Sequence, residues 1–387
     1  MSKLDDLIKE LCPNGVEYKP LEKCCNILDR QRKPVSKSAR ELGEYPYYGA
    51  NGIQDYVSDY IFDGTFVLVG EDGSVITKTG NPVVTWAQGK IWVNNHAHII
   101  AEIDGVILRY LYHYIQTVDV TPLIHGNIPK LTGGDFKAIQ IPLPPLPVQE
   151  EIVRILDAFT ELTAELTAEL TARKKQYEYY ETQLLFQNNF TLTPLSELCT
   201  VNQGLQIPIS ERKTEDGENR YFYITVQFLK GNEDKYYIES PSKSVICDYD
   251  DILVTRTGST GKIITGVKGC FHNNFFKVNC FPIINKRYMF YVLNSKRMFG
   301  ILLRTASGGT VPDLPHNKFY KIEIPIPYPN DIEKSLSEQQ RIVDILDRFD
   351  TLCNDISVGL PAEIKARQQQ YEHYRDKLLT FKRLEEV

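Results

Sequence analysis

Apolar and aromatic side chains return in steps of three and four residues from Ile152 to Leu184. The series is Ile152, Ile155, Phe159, Leu162, Leu166, Leu170, Tyr177, Tyr180 and Leu184, interrupted only at Arg173. Such spacing puts one stripe on a helix and predicts coiled-coil packing, with a stutter at Leu166–Leu170. A helix of about 38 residues, rising roughly 1.5 Å each, is on the order of 57 Å long. No small domain needs that length to cover its own core, so the stripe calls for a second long helix. Ile342, Ile345, Phe349, Leu352, Ile356, Leu360, Ile364, Tyr371, Tyr374 and Leu378 supply it. Gly359-Leu360-Pro361 predicts a break there, with Pro361 in the first turn of a restarted helix.

Between these stretches the pattern is β-like. Short runs bounded by turn residues start at Tyr45, Gly64 and Lys90, and again at Tyr221, Asp251 and His272. A short helix is expected in each half, from Val106 and from Tyr288. The halves read as α+β units without βαβ alternation.

The chain is internally duplicated. GNIPKL (126–131), IPLP (141–144) and QEEIVRILDAF (149–159) return as GTVPDL (309–314), IPIP (324–327) and QQRIVDILDRF (339–349), and YEYYETQLL from Tyr177 returns as YEHYRDKLL from Tyr371. A tandem tetrapeptide, TAEL at 163–166 and 167–170, sits at the stutter. One such repeat lengthens a helix by about 6 Å, so it has the character of an adjustable spacer.

Composition narrows the function. The net charge is −6 and 42% of residues are hydrophobic. Acidic groups gather in the first globular half and the helical stretches, whereas the second globular half is mildly basic. DNA binding then needs positive charge gathered on one face, or phosphate contacts supplied by partners. No apolar run reaches membrane-spanning length, and the opening MSKLDDLIKELCPNG is acidic and amphipathic, so a cytoplasmic protein is expected. The eight cysteines and seven histidines form no metal-ligand spacing, which predicts reduced, partly buried thiols and no bound metal.

Catalytic signatures are missing. GSTGK at 258–262 lacks the P-loop spacing and the hydroxyl after the lysine, and neither a cofactor loop nor an NPPF-like turn of a methyltransferase occurs. Residue types that read DNA are better supplied. Arg256, Thr257, Ser259, Thr260 and Lys262 fall in one glycine-rich turn, and the corresponding turn after FVLV offers Glu71, Asp72, Ser74, Lys78 and Thr79. Arginine, lysine, amide and hydroxyl groups address base edges and phosphates, and carboxylates can accept from cytosine amines. Asn127, Lys130, Ser307, Thr310 and His316 are further candidates. The competing reading of the Arg256 turn is a glycine-fixed hairpin with Arg256 in a surface salt bridge. Asn94, Asn95, Asn273 and Asn274 read equally well as turn formers.

Through IPLPPLPVQEEIVRILDAF, ELTAELTAELTARKKQYEYY, VTRTGSTGK, IPIPYPNDIEKSLSEQQRIVDILDRF and LPAEIKARQQQYEHYRDKLL, the whole chain resembles the specificity subunits of type I DNA restriction-modification systems. The resemblance implies two target-recognition domains, at 1–147 and 191–335, separated by helical regions at 148–190 and 336–387 that pair as an antiparallel coiled coil. It also implies a non-catalytic chain that reads a bipartite double-stranded DNA target. Two modification subunits and up to two restriction subunits would join it, with S-adenosylmethionine, ATP and Mg on those partners rather than on this chain. The alternative is a structural or protein-interaction scaffold without DNA binding, favoured by the acidic first half.

Overall fold

The computed structural model describes residues 3–73, 75–78, 80–126, 129–231, 234–308 and 312–384. The chain divides into two compact units, residues 1–168 with 362–387, and residues 169–361. One boundary falls inside the second TAEL and the other beside Pro361. Each of the two expected helical regions is therefore shared between units.

The predicted helices form. The first runs from Leu146–Leu185, and the second is two helices, Ile332–Asn354 and Leu360–Leu378. The interruption has a steric cause. A Cβ at Gly359 would lie 2.4 Å from the Thr351 carbonyl oxygen, so the tight connection between the two helices takes glycine at this point. In unit 1 the early part of the long helix meets the last helix, with Phe159 stacked on Tyr374 at 5.4 Å between ring centroids. In unit 2 its later part meets the preceding helix, where Tyr180 stacks on Phe349 at 5.8 Å. Early residues with late and later with earlier is the order of an antiparallel pair. Thr163 and Thr167 of the tetrapeptides donate their hydroxyls to the carbonyls four residues back, at 2.8 and 2.7 Å.

Unit 1 is built on a six-stranded sheet in the order Asn26–Ile27, Ala97–Ala101, Phe62–Gly70, Val84–Val93, Leu42–Gly49, Gly52–Val57. Unit 2 has two four-stranded sheets, one of them Cys199–Gln203, Phe275–Cys280, Ile252–Thr255 and Ile263–Ile264. The central ladder is nevertheless the same. Val67, Leu68, Val69 and Gly70 face Ile100, Ile99, His98 and Ala97, while Ile252, Leu253, Val254 and Thr255 face Val278, Lys277, Phe276 and Phe275.

A second repeated feature joins each globular part to its helices. The buried Gln149 amide accepts from Ile107 N–H at 3.0 Å, and Gln339 accepts from Asn285 N–H at 2.8 Å. Arg109 Nε donates to Asp157 at 2.7 Å, and Arg287 Nε to Asp347 at 2.8 Å. Tyr110 and Tyr288 each donate to a proline carbonyl, of Pro142 and Pro325, both at 2.9 Å. Burying such polar groups is tolerable because every one has a partner. These pairings occupy the glutamine and aspartate of the duplicated QEEIVRILD and QQRIVDILD strings, so the repeated letters are repeated contacts. The helix expected from Val106 is Leu108–Ile115, but the one expected from Tyr288 is two, Lys286–Asn294 and Lys296–Thr305. Ser295 separates them because its hydroxyl caps the second, accepting from Met298 N–H.

All eight cysteines are free, and seven of them are buried. Burial pushes the Cys25 and Cys199 thiols up to about 12, so both remain protonated at neutral pH.

Candidate nucleic-acid interface

The strand Phe62–Gly70 runs out into Glu71, Asp72 and Gly73. Glu71 N–H donates to the His96 carbonyl at 2.8 Å, and the Glu71 carbonyl accepts from Leu131 N–H at 2.8 Å. In unit 2, Ile252–Thr255 runs out into Arg256 and Thr257 in the same frame. Arg256 N–H donates to the Asn274 carbonyl at 2.7 Å, and its carbonyl accepts from Leu314 N–H at 3.2 Å. Positions 71, 72, 96 and 130 thus correspond to positions 256, 257, 274 and 313.

The side chains pair across these positions in both units, with different chemistry. In unit 1, Lys130 Nζ is 3.3 Å from Glu71 Oε1, and the His96 imidazole meets the Asp72 carboxylate. In unit 2, Arg256 grips Asp313 through Nε at 2.6 Å and Nη2 at 3.0 Å, and Thr257 Oγ1 donates to Asn274 Oδ1 at 3.0 Å. The sign of the first pair is reversed between units. Arg256 holds the Asp313 carboxyl below the usual carboxylate range through this charge-assisted bond. The salt bridge weighed against DNA contact for Arg256 is therefore present. It occupies one edge of the guanidinium, Nε with Nη2, and Nη1 makes only a long contact, 3.4 Å, to Gln203.

The rest of the turn divides by exposure. Gly258 and Gly261 take positive φ of 82° and 83°, where glycine is favoured. The buried Thr255 hydroxyl donates to the Ser259 carbonyl at 2.6 Å, and the buried Thr260 hydroxyl to the Pro312 carbonyl at 2.6 Å. The turn is thus less open than its composition suggests, and Thr260 ties it to the 307–313 loop. Lys262 is exposed, with no side-chain partner among the described residues, and so is free to meet a phosphate. Ser307 and Asp313 close their loop by mutual backbone bonds at 2.7 and 2.8 Å. His316 packs edge-on against Phe276, its Nε2 buried without a hydrogen-bond partner; burial first, then the Arg256 charge, keep its pKa below the ordinary value. Lys78 is exposed in a turn of unit 1. Ser74, Thr79, Asn127 and Thr310 lie outside the described residues.

Sequence reasoning missed Asp313 and His96, and left Asn274 open between a turn former and a DNA contact. Asp313 stands in GTVPDL where GNIPKL has Lys130, so aligning the copies would have exposed the reversed charge. In unit 1, Asp29, Glu71 and His98 bring ligand-type atoms within 4.8 Å of one another. However, Arg32 Nη1 lies 2.6 Å from Glu71 and its Nη2 3.6 Å from Asp29, while Lys130 takes the other Glu71 oxygen. Two cations already neutralise the carboxylates, which makes this an ion-pair network rather than a metal site.

A family model described as the type I restriction modification DNA specificity domain matches residues 13–173 and 188–366. The chain belongs to that family. Both four-residue groups lie within matched segments, and DNA target recognition is the family's function. "Putative type I restriction enzyme specificity subunit S.HindORF215P" of Haemophilus influenzae is 37% identical, over 97% of this chain and 98% of that protein. The type I restriction enzyme EcoR124I/EcoR124II specificity subunit of Escherichia coli is 33% identical over 73% of each. The crystal structure of a type I restriction-modification S subunit from M. genitalium matches with a TM-score of 0.58 over 94% of this chain and 96% of that one. At 15% identity that likeness speaks for the specificity-subunit fold alone. Among the described residues, no helix is long and apolar enough to cross a membrane.

Proposed function

We propose that this specificity chain reads a bipartite duplex DNA target, one half-site per unit, and serves as the assembly platform for the catalytic subunits of its system. The observation that carries the reading is the duplication of the helix-anchoring contacts. Gln149, Arg109 and Asp157 recur as Gln339, Arg287 and Asp347, so two similar units present loops of different polar character on one chain. One such unit per half-site suits a target of two unlike parts. The exposed polar faces of the helices, with Lys174 and Lys175, offer surface for two modification subunits, and up to two restriction subunits join them.

Methyl transfer from S-adenosylmethionine and ATP- and Mg-dependent translocation and cleavage belong to those partners, and this chain supplies position. The setting is the cytoplasm, where the DNA lies. Exposed lysines such as Lys262 hold phosphate without regard to sequence, and groups in the loop frame read base edges. Methylome sequencing of a strain carrying this chain with its modification subunit tests the reading. A two-part adenine-methylated motif with a fixed unspecified gap is expected. Its absence, together with salt-sensitive binding that ignores sequence, would favour the scaffold alternative.

A further inference from the structure

We propose that positions 71, 72, 96 and 130 in unit 1 and positions 256, 257, 274 and 313 in unit 2 are matched base-reading modules. They share one backbone frame and carry different donor–acceptor patterns, so the two half-sites differ in sequence. This rests on the reading of each unit as a duplex DNA reader.

Three observations converge. First, the backbone bonds that fix these positions are the same in both units, from residue 71 or 256 to residues 96 and 131 or 274 and 314. Second, residues that hold the framework keep their type between units: Gln149 and Gln339, Arg109 and Arg287, Tyr110 and Tyr288, Leu131 and Leu314, Phe136 and Phe319. All four module positions change type, from Glu, Asp, His and Lys to Arg, Thr, Asn and Asp. A purely structural clasp needs no such change, whereas a reader of a different sequence does. Third, three of the four unit 1 positions open onto solvent, and the buried Glu71 carboxylate holds Lys130 among them. Asp72, His96 and Lys130, with Asn51 and Gln54, line a cleft of about 550 Å³.

The pairing inside each module orients its groups before DNA arrives, which lowers the ordering cost of recognition. The chemistry then assigns preferences. The Asp72 carboxylate accepts from an exocyclic amine of cytosine or adenine, while the Arg256 edge left free by Asp313 donates to guanine.

The test uses the full-length chain assembled with its modification subunits and a panel of duplexes in which every base of the two half-sites is replaced in turn. Asp72→Asn turns an acceptor into a mixed group, and Asn274→Asp does the reverse in unit 2. Asp72→Asn is expected to change discrimination at one position of the first half-site by about 5- to 150-fold, the equivalent of one base contact. Discrimination in the second half-site stays as it was, which also reports that the molecule is folded. Asn274→Asp gives the mirror result. If Asp72→Asn lowers the melting temperature of unit 1, Lys130→Gln, at a half-exposed side chain, carries the same test. Unchanged discrimination in the variants of both units overturns the proposal, as does an equal loss at every position. Wild-type complex without any bipartite preference overturns instead the DNA-reader reading beneath it.

Discussion

Replacing Gln149 by leucine probes the framework that both units share. The side chain is 1% exposed. Its oxygen accepts from Ile107 N–H at 3.0 Å, and its nitrogen donates to the Pro144 carbonyl at 2.8 Å and the Gly105 carbonyl at 3.3 Å. Leucine is similar in volume, so packing changes little, but the Ile107 N–H and the Pro144 carbonyl lose their partner. Each buried group left unsatisfied costs about 1–3 kcal/mol, and the apolar replacement recovers part of this, for a net loss of about 2–4 kcal/mol. Gln339→Leu strands chiefly the Asn285 N–H, since the Ser335 hydroxyl can turn elsewhere, and costs about 1–2 kcal/mol. Urea unfolding separates the two. Both tryptophans, Trp86 and Trp92, are in unit 1, so their fluorescence follows that unit while circular dichroism follows the whole chain. With a urea slope of about 2 kcal/mol/M, Gln149→Leu should lower the tryptophan midpoint by about 1–2 M. Gln339→Leu should leave that midpoint in place and shift only the dichroism. An unchanged midpoint for Gln149→Leu would refute the reasoning about the stranded amide partners. An equal tryptophan shift from Gln339→Leu would show that the two units unfold together.

Lys262→Ala should weaken binding to all duplexes alike and reduce the salt slope by about one unit, whereas Arg256→Ala should cost roughly 1–3 kcal/mol at the cognate site and much less at an altered one, as read by competition binding at several salt concentrations. His113 is buried between Tyr371 Oη and Asp157 Oδ1, both at 2.9 Å, and burial holds its pKa below the ordinary value while the Asp157 bond only partly opposes. The unfolded chain therefore takes up the proton first. Unit 1 should keep this contribution above about pH 6.5 and lose it progressively as pH falls towards the folded pKa, with His113→Gln showing a shallower loss in tryptophan-monitored melts. Inserting a further TAEL after Leu170 adds about 6 Å of helix and should lengthen the unspecified gap by one or two base pairs with unchanged half-sites, an outcome that methylome sequencing reads directly.

Much of this architecture was legible in the sequence, because helix periodicity is a local property. The stripe from Ile152 to Leu184 set the long helix, Gly359-Leu360-Pro361 set the break, and the repeated strings set the duplication. The polar candidates were legible as residue types but not as partners. Arg256 was visible as a reader or a salt-bridge former, yet its partner Asp313 lies 57 residues away. The break at Ser295 depended on a capping bond. Likewise, nothing local joins His113 to Tyr371, 258 residues later, or assigns residues 362–387 to the unit formed by residues 1–168. Spacing along a chain decides which side chains share a face of their own helix or strand. Only the folded sheets and helices decide which loops meet, and so which charge answers which.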